Sequence, residues 1–427
     1  MKQYRLILMS ILIGSRAAAQ PTLVSDSFFR HYISSRYDSA YAALTNDLKR
    51  NPDDAERLFF LGKTCLVLGQ PERARSAFQR AQGLNPADAR IKEGLAHAFE
   101  EQGMTGEAID MYRTLARQHP ERTHVHLKLA SLLMKQRDYG SAVSVLRPFM
   151  SSVPMNPAAS ALLARAYIKT AVCDSAVMAA TLGMAGDSTS FPVCLNLGIA
   201  LYMQKSFESA ATALEQSAKL SSLSDEPRYY LGQTYLELER FDEAIQQFKE
   251  CADRRGSYMM KALQTLTIIQ YQQGRLDECI QSANSFLEHR GDEYKALVSL
   301  YKARALSDLE RFNEAGAQFE TTRNLSDAPF VRSILFYHAL NHFMQNEYPE
   351  AIKMYRRVIT LDPKSIHAYY NLALVYDDYY ADKTVAIQAY EKFLSVAGNT
   401  PRARKLVDAA RQRLRTLREK HFFDRKH

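Results

Sequence analysis

The residues most able to do chemistry are few. His338 and His342 stand four apart in "FYHALNHFM", a spacing that turns two imidazoles toward one face of a helix. A zinc site needs further ligands and usually an acid. No glutamate lies between these two, so buried, hydrogen-bonded imidazoles are the expectation. The adjacent acids Asp242–Glu243 and Asp277–Glu278 fall where helices begin, and carboxylates there favour the positive end of the helix dipole. Cys65, Cys173, Cys194, Cys251 and Cys279 are odd in number and show no C-x-x-C spacing, so they give neither a disulfide framework nor a zinc site. The chain holds no phosphate-cradling G-x-x-x-x-G-K, no G-x-S-x-G and no H-E-x-x-H. These residues predict no enzyme, no cofactor and no metal.

What positions them is a period of thirty-four residues. Counting from residue 21, the twentieth position of successive repeats is Ala40, Ala74, Ala108, Ala142, Ala176, Ala210 and Ala244. From the second repeat on, the eighth is Gly62, Ala96, Ala130, Ala164, Gly198 and Gly232, each preceded by leucine. Pro52, Pro86, Pro120 and Pro154 close the first four repeats. The fourth, seventh, eighth and eleventh positions share one face of a first helix. The seventeenth, twentieth, twenty-fourth and twenty-seventh share one face of a second. Small residues at the eighth and twentieth let the two backbones approach, and proline stops the second helix. All five cysteines occupy such core positions and are expected to pack as small hydrophobes. One hairpin cannot bury its apolar face alone, so the hairpins must stack.

The pattern resembles the tetratricopeptide repeat, in "LFFLGKTCLVLGQPERARSAFQRAQGLNP" (Leu58–Pro86) and in "YYLGQTYLELERFDEAIQQF" (Tyr229–Phe248). The resemblance implies an all-α, right-handed superhelical solenoid of about eleven antiparallel helix hairpins over residues 20–400. A pentatricopeptide array, which would imply RNA, uses a longer unit without the closing proline. The resemblance also implies a protein or peptide partner in a concave groove lined by the first helices. Groove positions in the early repeats give Lys63, His97, Lys128, Lys135, Arg165 and Lys169, opposed by Glu100 and Glu101. Further along they give Asn196, Tyr202, Tyr229, Tyr230 and Gln233, then Tyr301, Phe336, Tyr337, Phe343, Tyr370, Asn371, Asp377 and Asp378. The expected groove changes from basic to aromatic. Co-chaperones of this family grip a terminal carboxylate with a lysine–asparagine set, and no three successive repeats here carry that set.

Later repeats start near residues 260, 296, 332 and 366, and the ninth is ambiguous because Lys302 stands where leucine belongs. Gly183 and Gly186 weaken the end of the fifth repeat, so a bend or altered pitch is expected near 183–190 or 256–260. After Thr400, a helix with Leu406, Val407, Ala410, Leu414 and Leu417 on one side and Arg402, Arg404, Lys405, Arg411, Arg413, Arg415 and Arg418 on the other reads as a cap, 401–427. A docking face for an acidic partner or anionic lipid is the sharper reading of that basic side.

Charge and the first residues set the expected setting. The formal net charge is +8, yet residues 20–400 carry 42 bases and 44 acids. That balance argues against a polyanion-binding body, hence no nucleic acid. Lys2 and Arg5 precede the apolar run Leu6–Gly14, and Ala17 and Ala19 follow in an A-x-A arrangement. This is the pattern of a signal peptide over residues 1–19, with the periplasm as the expected place and secretion as the alternative. No stretch is long enough to span a membrane, leaving at most peripheral envelope association. The expected task is an interaction scaffold in envelope or secretion-complex assembly. The alternatives are a periplasmic carrier of a glycan or peptide fragment, and an accessory subunit that positions an enzyme's substrate. Partner identity and oligomeric state are not legible.

Overall fold

The computed structural model describes residues 27–289, 294–325, 328–398 and 400–424. The expected signal segment, 1–19, lies outside them. Among the described residues there are α-helices, one short 3-10 turn and no strand. They fall into two compact units divided between Lys205 and Ser206.

In the first unit, α1 (Ser27–Ile33) packs on α2 (Tyr37–Arg50), α3 (Ala55–Val67) on α4 (Pro71–Leu84), and α5 (Ala89–Glu101) on α6 (Thr105–Gln118). Then α7 (Thr123–Lys135) packs on α8 (Tyr139–Ser152) and α9 (Pro157–Lys169) on α10 (Cys173–Gly186), with α11 (Phe191–Met203) against both α9 and α10. The second unit opens with α12 (Phe207–Leu220). It continues with the pairs α13 (Glu226–Glu237) and α14 (Phe241–Asp253), α15 (Met259–Gln272) and α16 (Leu276–Leu287), and α17 (Lys295–Asp308) and α18 (Phe312–Asn324). The last pairs are α19 (Ala328–Met344) with α20 (Tyr348–Leu361) and α21 (Ile366–Tyr379) with α22 (Thr384–Ala397). A final helix, α23 (Arg404–Asp424), lies against α22.

The repeated small residues do what the period requires. Ala74, Ala108, Ala142, Ala176, Ala210 and Ala244 are all 0% exposed. A Cβ built on Gly62 would stand 2.7 Å from the ring of Phe78, and one on Gly232 would stand 2.8 Å from the ring of Phe248. In these two hairpins the aromatic ring of the second helix therefore rests on the bare backbone of its own first helix. Gly186, which looked like a helix breaker, ends a full-length α10 and leaves room for the backbone carbonyl of Met155.

Turns and caps follow a rule only partly visible in the sequence. The residue between paired helices is left-handed at Gly69, Gly103 and Gly274, but also at Arg137, Ala171, Glu239, Glu310 and Asn346. At the first of these, the Gly69 amide donates to the Leu66 carbonyl and the Gln70 amide to Cys65, so the last carbonyls of α3 are satisfied. Between hairpins, after the closing prolines, Asp54, Asp88 and Asn156 accept from backbone amides of the next helix. The buried Asp225 carboxylate accepts from the Tyr258 amide at 2.6 Å ahead of α15, where no proline stands.

The cysteines are free thiols. Four are buried; Cys173, the first residue of α10, is only half-buried, because a helix start faces the turn rather than the core. Burial pushes the thiols of Cys251 and Cys279 up to about 12, which keeps them protonated and inert. The C-terminal helix buries Val407, Ala410, Leu414 and Leu417, and Ala403 is buried in the 3-10 turn just ahead of it.

Two substitutions test this packing. Gly62→Val drives a branched side chain into Phe78 and is expected to cost about 2 kcal/mol, read as faster amide exchange over residues 55–84. Ala171→Gly relieves a left-handed alanine and is expected to stabilise the fifth hairpin by about 1 kcal/mol, read as a higher urea midpoint.

Candidate interaction surface

In the first unit the first helices place the expected basic residues side by side, and acids of neighbouring repeats meet them. Lys128 reaches Glu100 at 3.2 Å and Lys135 reaches the same carboxylate at 3.6 Å. His97 lies 3.5 Å from Glu101. Glu93 takes Arg122 at 3.2 Å and His124 at 2.9 Å, while Arg90 bridges Glu56 at 2.9 Å and Asp88 at 2.7 Å. Such exposed pairs are worth about 0–1 kcal/mol each, so their main effect is to neutralise the face. Lys63 is half-buried with its ammonium 5.6 Å above the Phe59 ring. Burial lowers its pKa, Glu93 raises it and Arg90 lowers it again. Lys169 is exposed.

Asn196 is not a surface residue of this face. It is buried, donates to the Ala161 carbonyl at 2.9 Å and accepts from Arg165 at 3.3 Å. A buried amide must be satisfied by its neighbours, and here the preceding repeat supplies both partners. Tyr202 is half-buried.

In the second unit the tyrosines form clusters rather than isolated contacts. Tyr229, Tyr230 and Tyr258 pack with centroid separations of 4.8–6.0 Å. The Tyr258 hydroxyl donates to Glu226 at 3.1 Å, and burial first, then Glu226, hold its phenol above the usual range. Gln233 is half-buried beside them. The Arg304 guanidinium lies 4.1 Å from the ring of Tyr337, 4.4 Å from Tyr271 and 5.4 Å from Tyr301. Three successive first helices thus close an aromatic cage around one cation. Sequence reasoning missed Arg304 and Tyr271, although tyrosines recurring one repeat apart around an arginine were the available signal.

Tyr370 turns toward its own hairpin, 5.2 Å from Phe393, and Asn371 donates to the Tyr355 hydroxyl at 3.1 Å. Asp377, expected in the groove, is buried and receives Arg413 of α23 at 2.6 and 3.2 Å. One arginine of the basic C-terminal side is therefore committed to holding that helix in place, and Arg418 pairs with Glu391 at 2.6 Å.

The histidine pair is stacked at 4.6 Å, with His338 also stacked on Phe319 at 5.2 Å. His342 meets Glu347 at 2.5 Å and His338 lies 3.5 Å from Glu320. Among the described residues no group of three or more His, Cys, Asp or Glu is placed to hold a metal. Burial, then the neighbouring His342 and Arg323, push the His338 imidazole down to about 4, with Glu347 opposing.

Stacked α-hairpins with inter-repeat contacts define a repeat protein of the solenoid class. Sequence-family profiles described as tetratricopeptide repeat match residues 32–98, 99–166 and 195–258, and one described as TPR repeat matches 341–377, together more than half of the chain. The chain belongs to the tetratricopeptide-repeat family. It is similar to human superkiller complex protein 3, with 25% identity over 224 residues, covering 48% of this chain and 14% of that protein. The chain thus spans a small part of that relative's length. Among solved structures it is similar to the C-terminal part of a TPR repeat-containing protein from Cytophaga hutchinsonii, with a TM-score of 0.47 and 16% identity over 57% of this chain and 97% of that one. A tetratricopeptide repeat protein from Parabacteroides merdae gives a TM-score of 0.42 and 16% identity, covering 57% and 96%.

The depressed His338 value fixes a pH dependence. Unfolded histidine titrates near 6.5 and folded His338 near 4, so between those values the unfolded chain binds the extra proton. The contribution is fully present above pH 6.5 and is lost as pH falls toward 4, by up to about 3 kcal/mol. His338→Phe keeps the stacking and is expected to flatten that part of the stability profile, measured by urea unfolding across the window.

Proposed function

We propose that the chain is a non-catalytic scaffold that holds a partner protein segment on the first-helix faces of its repeats, and that it works after export, in envelope or secretion-complex assembly. Proteins of this family generally act as protein–protein interaction scaffolds, which supports the coarse reading. The observation that carries the binding role is the half-exposed tyrosine row around Arg304, where large apolar area and polar tips are held with little entropy left to lose. The non-catalytic reading draws on the perturbed groups: each has a structural partner or a burial cause rather than a shared cleft. The export reading rests on the pattern of Lys2, Arg5, Leu6–Gly14, Ala17 and Ala19.

Crosslinking in the native envelope followed by pull-down of the full chain tests the proposal. Specific protein partners are expected, with capture reduced about tenfold by Tyr337→Ala. In the first unit, Lys128→Glu with Arg165→Glu reverses cations that already have partners, and capture is expected to fall severalfold. Unchanged capture in both variants, or a small molecule or glycan retained in the native mass spectrum in place of protein, would overturn the scaffold reading.

A further inference from the structure

Away from the tyrosine row, between α20 and the end of α21, lies an open pocket of about 440 Å3 lined by Pro349, Ile352, Lys353, Arg356, Tyr379 and Tyr380. Its charge is one-sided. Lys353 and Arg356 stand one turn apart on α20 and are both exposed. Among the described residues Lys353 has no hydrogen bond or ion pair, and the Arg356 guanidinium donates only to a neutral group, the Tyr376 hydroxyl, at 3.0 Å. No carboxylate lines the pocket. Elsewhere in the same unit arginines find acids: Arg332 meets Asp362 at 3.0 Å and Arg418 meets Glu391 at 2.6 Å.

The walls are aromatic. Tyr379 and Tyr380 meet at 4.8 Å, Tyr376 and Tyr380 at 5.6 Å, and Tyr348 and Tyr379 at 5.4 Å. Tyr379 is 43% exposed, so its ring is available rather than consumed by packing. Two cations without counter-charge select an anion, and the flat walls select an apolar or aromatic group beside it. The volume suits a few side chains rather than a helix or a domain. Two cations are too few to track a polyanion backbone.

We propose that this pocket is a second docking site, separate from the first-helix faces, for an acidic–aromatic segment of a protein partner. The segment's carboxylate lies on Lys353 and Arg356 and its ring against Tyr379 and Tyr380. The inference rests on the scaffold reading for the nature of the ligand, but its site and residues are different.

The test is calorimetric titration of the full chain with a blocked peptide of sequence Gly-Asp-Phe-Glu-Gly, beside the same peptide carrying Asn and Gln in place of the acids. Binding of the acidic peptide only is expected. It should weaken about tenfold or more in Lys353→Glu with Arg356→Glu, and severalfold in Tyr379→Ala. All three positions are exposed, and thermal melting followed by circular dichroism checks that the variants fold. Lys128→Glu with Arg165→Glu is expected to leave this titration unchanged. No binding to the unaltered chain, equal binding by the charge-reversed variant, or tighter binding of adenosine monophosphate than of the peptide each overturns the proposal. Loss of peptide binding with partner capture intact sinks the second site alone, and the reverse sinks the scaffold reading alone.

Discussion

The structure depends on how closely two helices of one hairpin approach. Phe78 presses its ring against the backbone of α3 at Gly62, and Phe248 does the same to α13 at Gly232. Where the ring is replaced by Leu146, alanine still occupies the first helix at Ala130. Interiors pack at crystal-like density, so a larger side chain at the contact separates the backbones and also shifts the apolar faces offered to the next hairpin. The stacking of each unit is in this sense a consequence of a contact within single hairpins. The fully buried alanines at the twentieth position extend the same constraint along both units.

That constraint explains what could be read from residues alone. Small residues, leucines and closing prolines recur because backbone geometry demands them, so the hairpins were legible down to a few residues at their ends. The turn conformation was less so. Glycine marks the left-handed position at Gly69, Gly103 and Gly274, but Arg137, Ala171 and Glu239 adopt it with no sign in their type. Surface roles were the least legible, because they depend on which residue of the adjacent repeat arrives opposite. Asn196 and Asp377 are polar residues at positions expected to face outward, yet both are buried, and Arg165 and Arg413 come from neighbouring elements to meet them. Arg304 lay in the repeat whose frame Lys302 obscured, so its tyrosine surroundings were hidden with it.

The electrostatics of the faces also take a different form from the expected basic groove. Acids from successive repeats stand among the cations of the first unit, with Glu100 serving two lysines and Glu93 an arginine and a histidine. The face is a lattice of alternating charge rather than a basic strip. In the second unit the aromatic clusters carry the apolar area. Four of the five thiols are buried, and the imidazole pair is stacked.

The polar contacts share one further property. Arg90 and Glu56 are 34 positions apart, Tyr271 and Asp308 are 37 apart, and Arg413 and Asp377 are 36 apart. Each ties a hairpin to its immediate neighbour and to nothing beyond. With so little of the native structure depending on distant parts of the chain, an opening at one hairpin removes the support of only the next. Within each unit, a hairpin pulled open under tension can therefore refold against the intact neighbour it left.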